Sequence, residues 1–264
     1  MIDTHCHLTD PRLLDQIAAV MDRAQSAGIC EMVTIGTDPA DWEAAIALTG
    51  KYSNIRCAVG VHPNNCHEVP FESIAALRTF FPSAGVPGEG GRGAIVAIGE
   101  IGIDRHHKDA PPELQIKYFE AQLDLAQQLA MPVVIHSRES VDDCLSVLKR
   151  FPKVRAVFHC FTGAAAEAAR IWDGGHLTGF TGVVTFRNGR SLLEIAAQAP
   201  GDRILVETDA PYLTPEPMRK QKVNEPAMVV HTVTAIAEAR GISIEELDAL
   251  TTKNAHNFYR WQSP

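Results

Sequence analysis

No apolar run in this 264-residue chain approaches the roughly 18 residues that a membrane-spanning helix needs, which excludes a helical membrane protein. The opening residues, MIDTHCHLTD, carry neither the basic stretch nor the apolar core of a secretory leader, so a cytoplasmic location is expected. Cysteine is sparse. None of the six forms a C-x-x-C pair, and free thiols are expected rather than a disulfide framework. No G-x-S-x-G elbow occurs, so a serine nucleophile of that type is not supported. Positive charge is in deficit, 24 Lys and Arg against 32 Asp and Glu, for a net charge of −8. That balance excludes a general nucleic-acid coat but leaves room for a local basic groove.

What is present is the composition of a globular enzyme: 45% hydrophobic and 21% charged residues. Short runs rich in Val, Ile, Phe and Thr alternate with segments of helical period. The strand candidates are Ile2–His7, Glu31–Thr37, Ile55–Pro63, Ala94–Asp104, Pro132–Arg138, Arg155–Gly163, Leu177–Thr185 and Ile204–Leu213. Helices are expected over Arg12–Ala27, with Leu13, Ile17, Val20 and Ala24 on one stripe, and after Pro111-Pro112, with Leu114, Tyr118, Ala121, Leu125 and Leu129 on another. A final helical pair is expected over Glu225–Arg240 and Ile244–Trp261. Eight β-α units in this length predict an α/β fold, a single-domain TIM (β/α)8 barrel over residues 1–264, in preference to an open doubly wound sheet. The Gly- and Pro-rich stretch Pro82–Gly93 reads as a surface insert without chemistry.

A barrel carries its active site at the C-terminal ends of its strands. Five of the eleven histidines fall at such ends: His5, His7, His62, His136 and His159. Strand side chains alternate faces, so His5 and His7 point the same way and can share a metal, while Cys6 turns outward as a small core residue. Glu100 and Asp209 offer oxygen ligands, and His136 and His159 two more nitrogens. Six such donors are too many for one tetrahedral ion and suit two divalent ions sharing a bridging carboxylate.

At these residues the sequence resembles the TatD-related metal-dependent hydrolases, within the amidohydrolase-like barrels. The matching stretches include Asp3-Thr4-His5-Cys6-His7-Leu8, Gly60-Val61-His62-Pro63, Gly99-Glu100-Ile101-Gly102-Ile103-Asp104 and His136-Ser137-Arg138. They continue through His159-Cys160-Phe161-Thr162-Gly163, Glu207-Thr208-Asp209-Ala210-Pro211-Tyr212-Leu213 and Asn224-Glu225-Pro226. The resemblance implies a TIM barrel with two metals: His5 and His7 hold the first with Asp209, Glu100 bridges, and His136 and His159 hold the second. It also implies deoxyribonuclease activity, exonuclease-like on single strands. Two departures stand out. Arg105-His106-His107 follows Asp104 where the family commonly has an aromatic residue, and Arg219-Lys220-Gln221-Lys222 precedes Asn224 where Arg-Gly-Lys is common.

The expected chemistry is phosphodiester hydrolysis by a metal-activated hydroxide, with Glu100, Asp209 and His62 as the catalytic side chains. Asp209 serves as proton acceptor, and His62 orients a phosphate oxygen or donates to the leaving oxygen. Four imidazoles favour zinc, manganese, iron or cobalt. Family members are often described with magnesium, so the ion stays open among zinc, manganese and magnesium. Arg138, Arg187, Arg219, Lys220 and Lys222 are the candidate phosphate contacts for single-stranded DNA or another phosphodiester, and no membrane partner is expected. Phe161, Tyr212 and Phe186, beside strand ends, read as packing residues more than as base-stacking ones. Two rival readings use the same residues: hydrolysis of a small ester, amide, lactone or aminoacyl ester, or a non-catalytic metal-binding scaffold.

Overall fold

A computed structural model of the chain describes residues 1–81 and 94–260. The Pro82–Gly93 insert and Trp261 lie outside the described residues. Eight strands form one sheet in strict sequence order: β1 Ile2–Cys6, β2 Glu31–Gly36, β3 Ile55–Val59, β4 Ile95–Asp104, β5 Val133–Arg138, β6 Ala156–Phe158, β7 Leu177–Phe180 and β8 Ile204–Val206. An open doubly wound sheet would break this order at a switch point, so the fold is the TIM (β/α)8 barrel. The intervening helices are α1 Pro11–Leu14, α2 Ile17–Ser26, α3 Pro39–Lys51, α4 Ser73–Leu77, α5 Pro112–Leu129, α6 Val141–Leu148, α7 Ala165–Asp173 and α8 Arg190–Gln198, followed by α9 Val229–Arg240 and α10 Ile244–Tyr259.

The contacts divide the chain into two compact units, one of residues 1–34 with 159–264 and the other of residues 35–158. In the first unit, Ile2 pairs with Glu31 and Asp3 with Met32, parallel. Across it, Thr178, Gly179 and Phe180 pair with Ile204, Leu205 and Val206. Strand β1 meets the segment after β8 through a parallel bridge between Cys6 and Ala210. Helix α10 starts on a capping box: Ser243 Oγ accepts from Glu246 N at 3.1 Å, and Glu246 Oε2 accepts from Ser243 N at 2.8 Å. In the second unit, all ten residues of β4 are buried, as expected for a parallel strand covered on both faces. Helix α3 starts on Asp38, whose carboxylate accepts from Ala40 N and Asp41 N, with Pro39 at the first helical position.

Several expected boundaries move, for local reasons. The Arg12–Ala27 helix is two helices. The chain makes a tight turn in which Gln16 N donates to Leu13 O, and the helix restarts with Val20 N on Gln16 O. The stripe nevertheless holds, since Leu13, Ile17, Val20 and Ala24 are all buried. Strands β6, β7 and β8 end well before Gly163, Thr185 and Leu213. Beyond β6 and β8 the backbone enters the left-handed region at Cys160 (φ 43°) and Asp209 (φ 56°), which breaks extended pairing. Beyond β7, Gly182–Thr185 winds into a 3-10 turn, and a second such turn, Pro226–Met228, replaces the start of the helix expected from Glu225. On α5 the buried face is rotated from the expected one. Tyr118 and Leu125 are buried, but Gln115, Phe119, Gln122 and Leu123 join them in place of Leu114, Ala121 and Leu129.

Candidate metal centre

In the first unit the donors are His5 and His7 at the end of β1, His159, and Asp209 after β8. His5 is fully buried, and His7 stands two residues on with its ring centre 5.1 Å from that of His5, so the pair does share one face. The His159 ring stacks on His5 at 3.9 Å, nearly parallel at 9°. Asp209 Oδ1 lies 3.3 Å from His7 Nε2 and 3.7 Å from His5 Nε2. Ligand atoms of His5, His159 and Asp209 all lie within 4.8 Å of one another. Burial pushes the Asp209 carboxyl up, but the hydrogen bond from His7 and the adjacent His159 and His5 outweigh it, so its pKa falls below the ordinary value.

Three further side chains hold these donors. Asp3 is fully buried; its carboxylate accepts from Thr208 Oγ1 at 2.6 Å and Thr208 N at 2.9 Å, tying β1 to the residue before Asp209. Burial pushes the Asp3 carboxyl up to about 7, against the pull of the Thr208 hydrogen bonds. Glu207 accepts from Cys160 N at 2.5 Å, and its Oε1 lies 3.6 Å from His159 Nδ1. Gly179 is the seat for that carboxylate: a Cβ there would lie 2.4 Å from Glu207 Oε2. Asn224 is buried, and its Nδ2 donates to Thr208 O at 3.0 Å and Tyr212 O at 2.6 Å, pinning both sides of Asp209.

In the second unit the donors come from β3, β4 and β5. His136 is clamped between carboxylates, with Nδ1 2.8 Å from Glu100 Oε1 and Nε2 3.0 Å from Asp104 Oδ2. His62 packs edge-on against His136 at 4.5 Å, with its Nε2 3.4 Å from Glu100 Oε1. Asn64 N donates to His62 Nδ1 at 3.1 Å. That bond makes Nδ1 an acceptor, so the neutral ring carries its proton on Nε2 and turns a donor toward Glu100. Ligand atoms of His62, Glu100 and His136 lie within 4.8 Å of one another. Asp104 is buried and accepts from His106 N, His107 N and His107 Nδ1, each at 2.8 Å. Burial opposes its charge, but the hydrogen bonds from His136 and His107 win and hold its carboxyl well below the usual range.

The backbone that aims these groups depends on two glycines and two glutamines. The β4–β5 register shifts between Ile98 and Ile101, which re-aims Glu100. A Cβ at Gly99 would lie 2.6 Å from Val134 Cβ, and Gly102 (φ +141°) brings its α-carbon so close to β5 that a Cβ would lie 2.1 Å from His136 O. From α5, Gln122 accepts from Val61 N at 2.7 Å and donates to Val61 O at 3.1 Å, fixing the residue before His62. Gln115 Oε1 accepts from Asp104 N at 2.8 Å.

The phosphate-contact candidates are all exposed: Arg138 in the second unit, and Arg187, Arg219, Lys220 and Lys222 in the first. Arg219 is engaged within its own loop, its guanidinium over the Phe186 ring at 4.0 Å and donating to Thr214 O at 3.1 Å. The Arg105-His106-His107 turn is tied down as well, through Arg105 on Asp143, His106 on Glu139 and His107 on Asp104. Phe161 is buried against Phe180, whereas Tyr212 is exposed. All six cysteines are free, and Cys6 is a buried core residue. No helix among the described residues is long and apolar enough to cross a membrane.

Comparison with known proteins agrees with this geometry. Residues 2–260 match the family model for TatD related DNase. The chain is 36% identical over 266 residues to the 3'-5' ssDNA/RNA exonuclease TatD of Erwinia amylovora, covering 98% of this chain and 99% of that protein. It is 32% identical over 262 residues to the uncharacterized metal-dependent hydrolase YabD of Bacillus subtilis, covering 98% and 99%. The crystal structure of YJJV, a TatD homolog from Escherichia coli, superposes with a TM-score of 0.91 at 27% identity, covering 99% of this chain and 98% of that one. The chain therefore belongs to the TatD-related family of metal-dependent hydrolases and nucleases.

Proposed function

We propose that the whole chain acts as one catalytic domain, a cytoplasmic exonuclease that removes nucleotides from single-stranded nucleic acid with two divalent ions. The observation that carries the reading is the pair of donor sets at strand ends, each combining imidazoles with a carboxylate. Nitrogen and oxygen donors in this ratio fit zinc or manganese, and magnesium less well. The family resemblance assigns His5, His7 and Asp209 to one ion and His136 and His159 to the other, with Glu100 shared, whereas in the first unit His159 lies with His5 and Asp209 and in the second His62 lies with Glu100 and His136. When bound, the ions supply a hydroxide at neutral pH and charge stabilisation on the phosphoryl oxygens.

The side chains do the rest. Asp209, held ionised by His7 and its neighbours, accepts the proton of the attacking water. His62 presents its Nε2 proton, because Asn64 occupies Nδ1, and donates it toward the leaving or a non-bridging oxygen. Arg138, Arg187, Lys220 and Lys222, with Arg219 braced on Phe186, track the phosphate backbone despite the net charge of −8. The polarity proposed is 3' to 5', the direction in the name of the Erwinia relative.

The test is metal reconstitution. Chelator-stripped protein is mixed with 3'- or 5'-labelled single-stranded DNA, and zinc, manganese and magnesium are restored separately. Stepwise, metal-dependent shortening from the 3' end is expected. No cleavage with any ion, alongside stoichiometric metal content, would overturn the nucleic-acid reading and move the search to small esters and lactones.

A further inference from the structure

Tyr212 is the most exposed large hydrophobic side chain among the described residues, at 48%, and the only aromatic in that class. It stands three residues after Asp209, and its ring centre lies 6.0 Å from that of His7, edge to face. Packing does not account for a ring so exposed. Nor does the loop need the ring: the Tyr212 backbone is fixed at both ends, its N–H donating to Asp209 O at 2.9 Å and its carbonyl accepting from Asn224 Nδ2 at 2.6 Å.

The ring is also braced. The Arg12 guanidinium sits over it, 4.7 Å from the ring centre. Arg12 is itself locked by a two-pronged pair with Asp10, Nε to Oδ1 at 2.9 Å and Nη2 to Oδ2 at 2.7 Å. Asp10 is fixed in turn, since it caps α1 by accepting from Arg12 N at 2.9 Å. With its charge neutralised by Asp10, Arg12 acts here as a flat support more than as a phosphate-attracting cation. The result is a braced aromatic ring, about half exposed, beside a proposed metal ligand. A pre-ordered plate loses little conformational freedom when a flat ligand settles on it.

We propose that Tyr212, backed by Arg12, is a stacking platform for a nucleobase next to the scissile phosphodiester. The inference rests on the exonuclease reading and deepens it: the site would take a strand whose terminal bases are unpaired and free to splay. Every base offers a π-face, so the platform would select single strands over duplex ends without selecting sequence.

The experiment uses metal-loaded wild-type protein, Tyr212→Ala and Tyr212→Phe on two single-stranded oligonucleotides. One is intact, and the other is abasic at its last two nucleotides at the degraded end. On the intact strand Tyr212→Ala is expected to raise KM by about 5- to 150-fold, the range of one lost base–aromatic stack, with a smaller change in kcat. Tyr212→Phe keeps the plate and restores most of the loss. On the abasic strand wild type should weaken by a similar factor, and Tyr212→Ala should add little. Equal losses on both strands, or none on the intact strand, overturn the platform. Loss of bound metal in Tyr212→Ala also overturns it, since the ring would then serve His7 instead. Wild type that cleaves neither strand overturns the exonuclease reading itself.

Discussion

Asp104 and His136 are hydrogen-bonded at 3.0 Å, and the carboxylate that makes this bond is almost wholly buried. It supports the imidazole on the side away from Glu100, as carboxylates behind metal-bound histidines do. Asp104→Asn is expected to lower metal affinity or turnover by about 10- to 100-fold. The same variant changes acid stability. The Asp104 carboxyl lies well below its usual value in the folded protein, so its contribution is complete above the unfolded pKa near 4 and is lost as pH falls below it. Thermal melts from pH 2 to 5 should therefore show a flatter acid limb in Asp104→Asn than in wild type.

Asp209→Asn isolates the proposed proton acceptor. Asn tolerates the left-handed backbone at φ 56°, so the fold should survive. Turnover should fall by about two orders of magnitude or more, as when a positioned acid-base group is removed. Single-turnover cleavage beside circular dichroism separates the two effects, and unchanged turnover would falsify the role.

Asp3 predicts the opposite pH trend in the metal-free protein. Its folded pKa is raised to about 7. From about pH 4 to about 7 the native state keeps a proton that the unfolded chain has released, so stability falls as pH rises through that window. The full effect is on the order of 4 kcal/mol. Asp3→Asn should remove the decline, measured by urea unfolding of apo protein at pH 5 and pH 8.

Gln122→Leu tests a residue that touches no substrate. It strips the partners from Val61 N and O at once, two buried backbone groups. The expected loss is about 2–4 kcal/mol in urea unfolding at unchanged m, with kcat reduced through the displaced His62. An unaltered midpoint would show that the two Val61 bonds add nothing to stability.

Gly102→Ala should be the costliest of these changes. The backbone at φ +141° suits glycine, and the new methyl would meet His136 O. A loss of about 3 kcal/mol or more is expected, with His136 displaced. Differential scanning calorimetry together with metal stoichiometry reads both.

These residues show why some features were legible beforehand and others were not. His5, His7, Glu100, His136, His159 and Asp209 stand at the ends of apolar runs, where a two-residue period aims alternate side chains inward. Asp3 and Asp104 share that period with His5 and Glu100, so their direction was readable too, but a strand pattern does not separate a donor from the carboxylate behind it. Gln115 and Gln122 left no comparable trace. Glutamine on a helix ordinarily faces water, and only their seven-residue spacing on the buried stripe of α5 hints otherwise. The sequence pattern carries β6 and β8 beyond their observed ends because strand-forming residues continue past the last paired one. The left-handed turns at Cys160 and Asp209 depend on contacts that no local propensity encodes.

Asp3 finds Thr208, and His7 N finds Ala210 O, across some two hundred residues of chain. A ribosome has therefore made His5 and His7 long before it makes the segment that completes their surroundings. Until Asp209 has emerged, the histidine pair lacks the carboxylate that lies beside it in the folded protein. The proposed first metal site is therefore complete only late in translation.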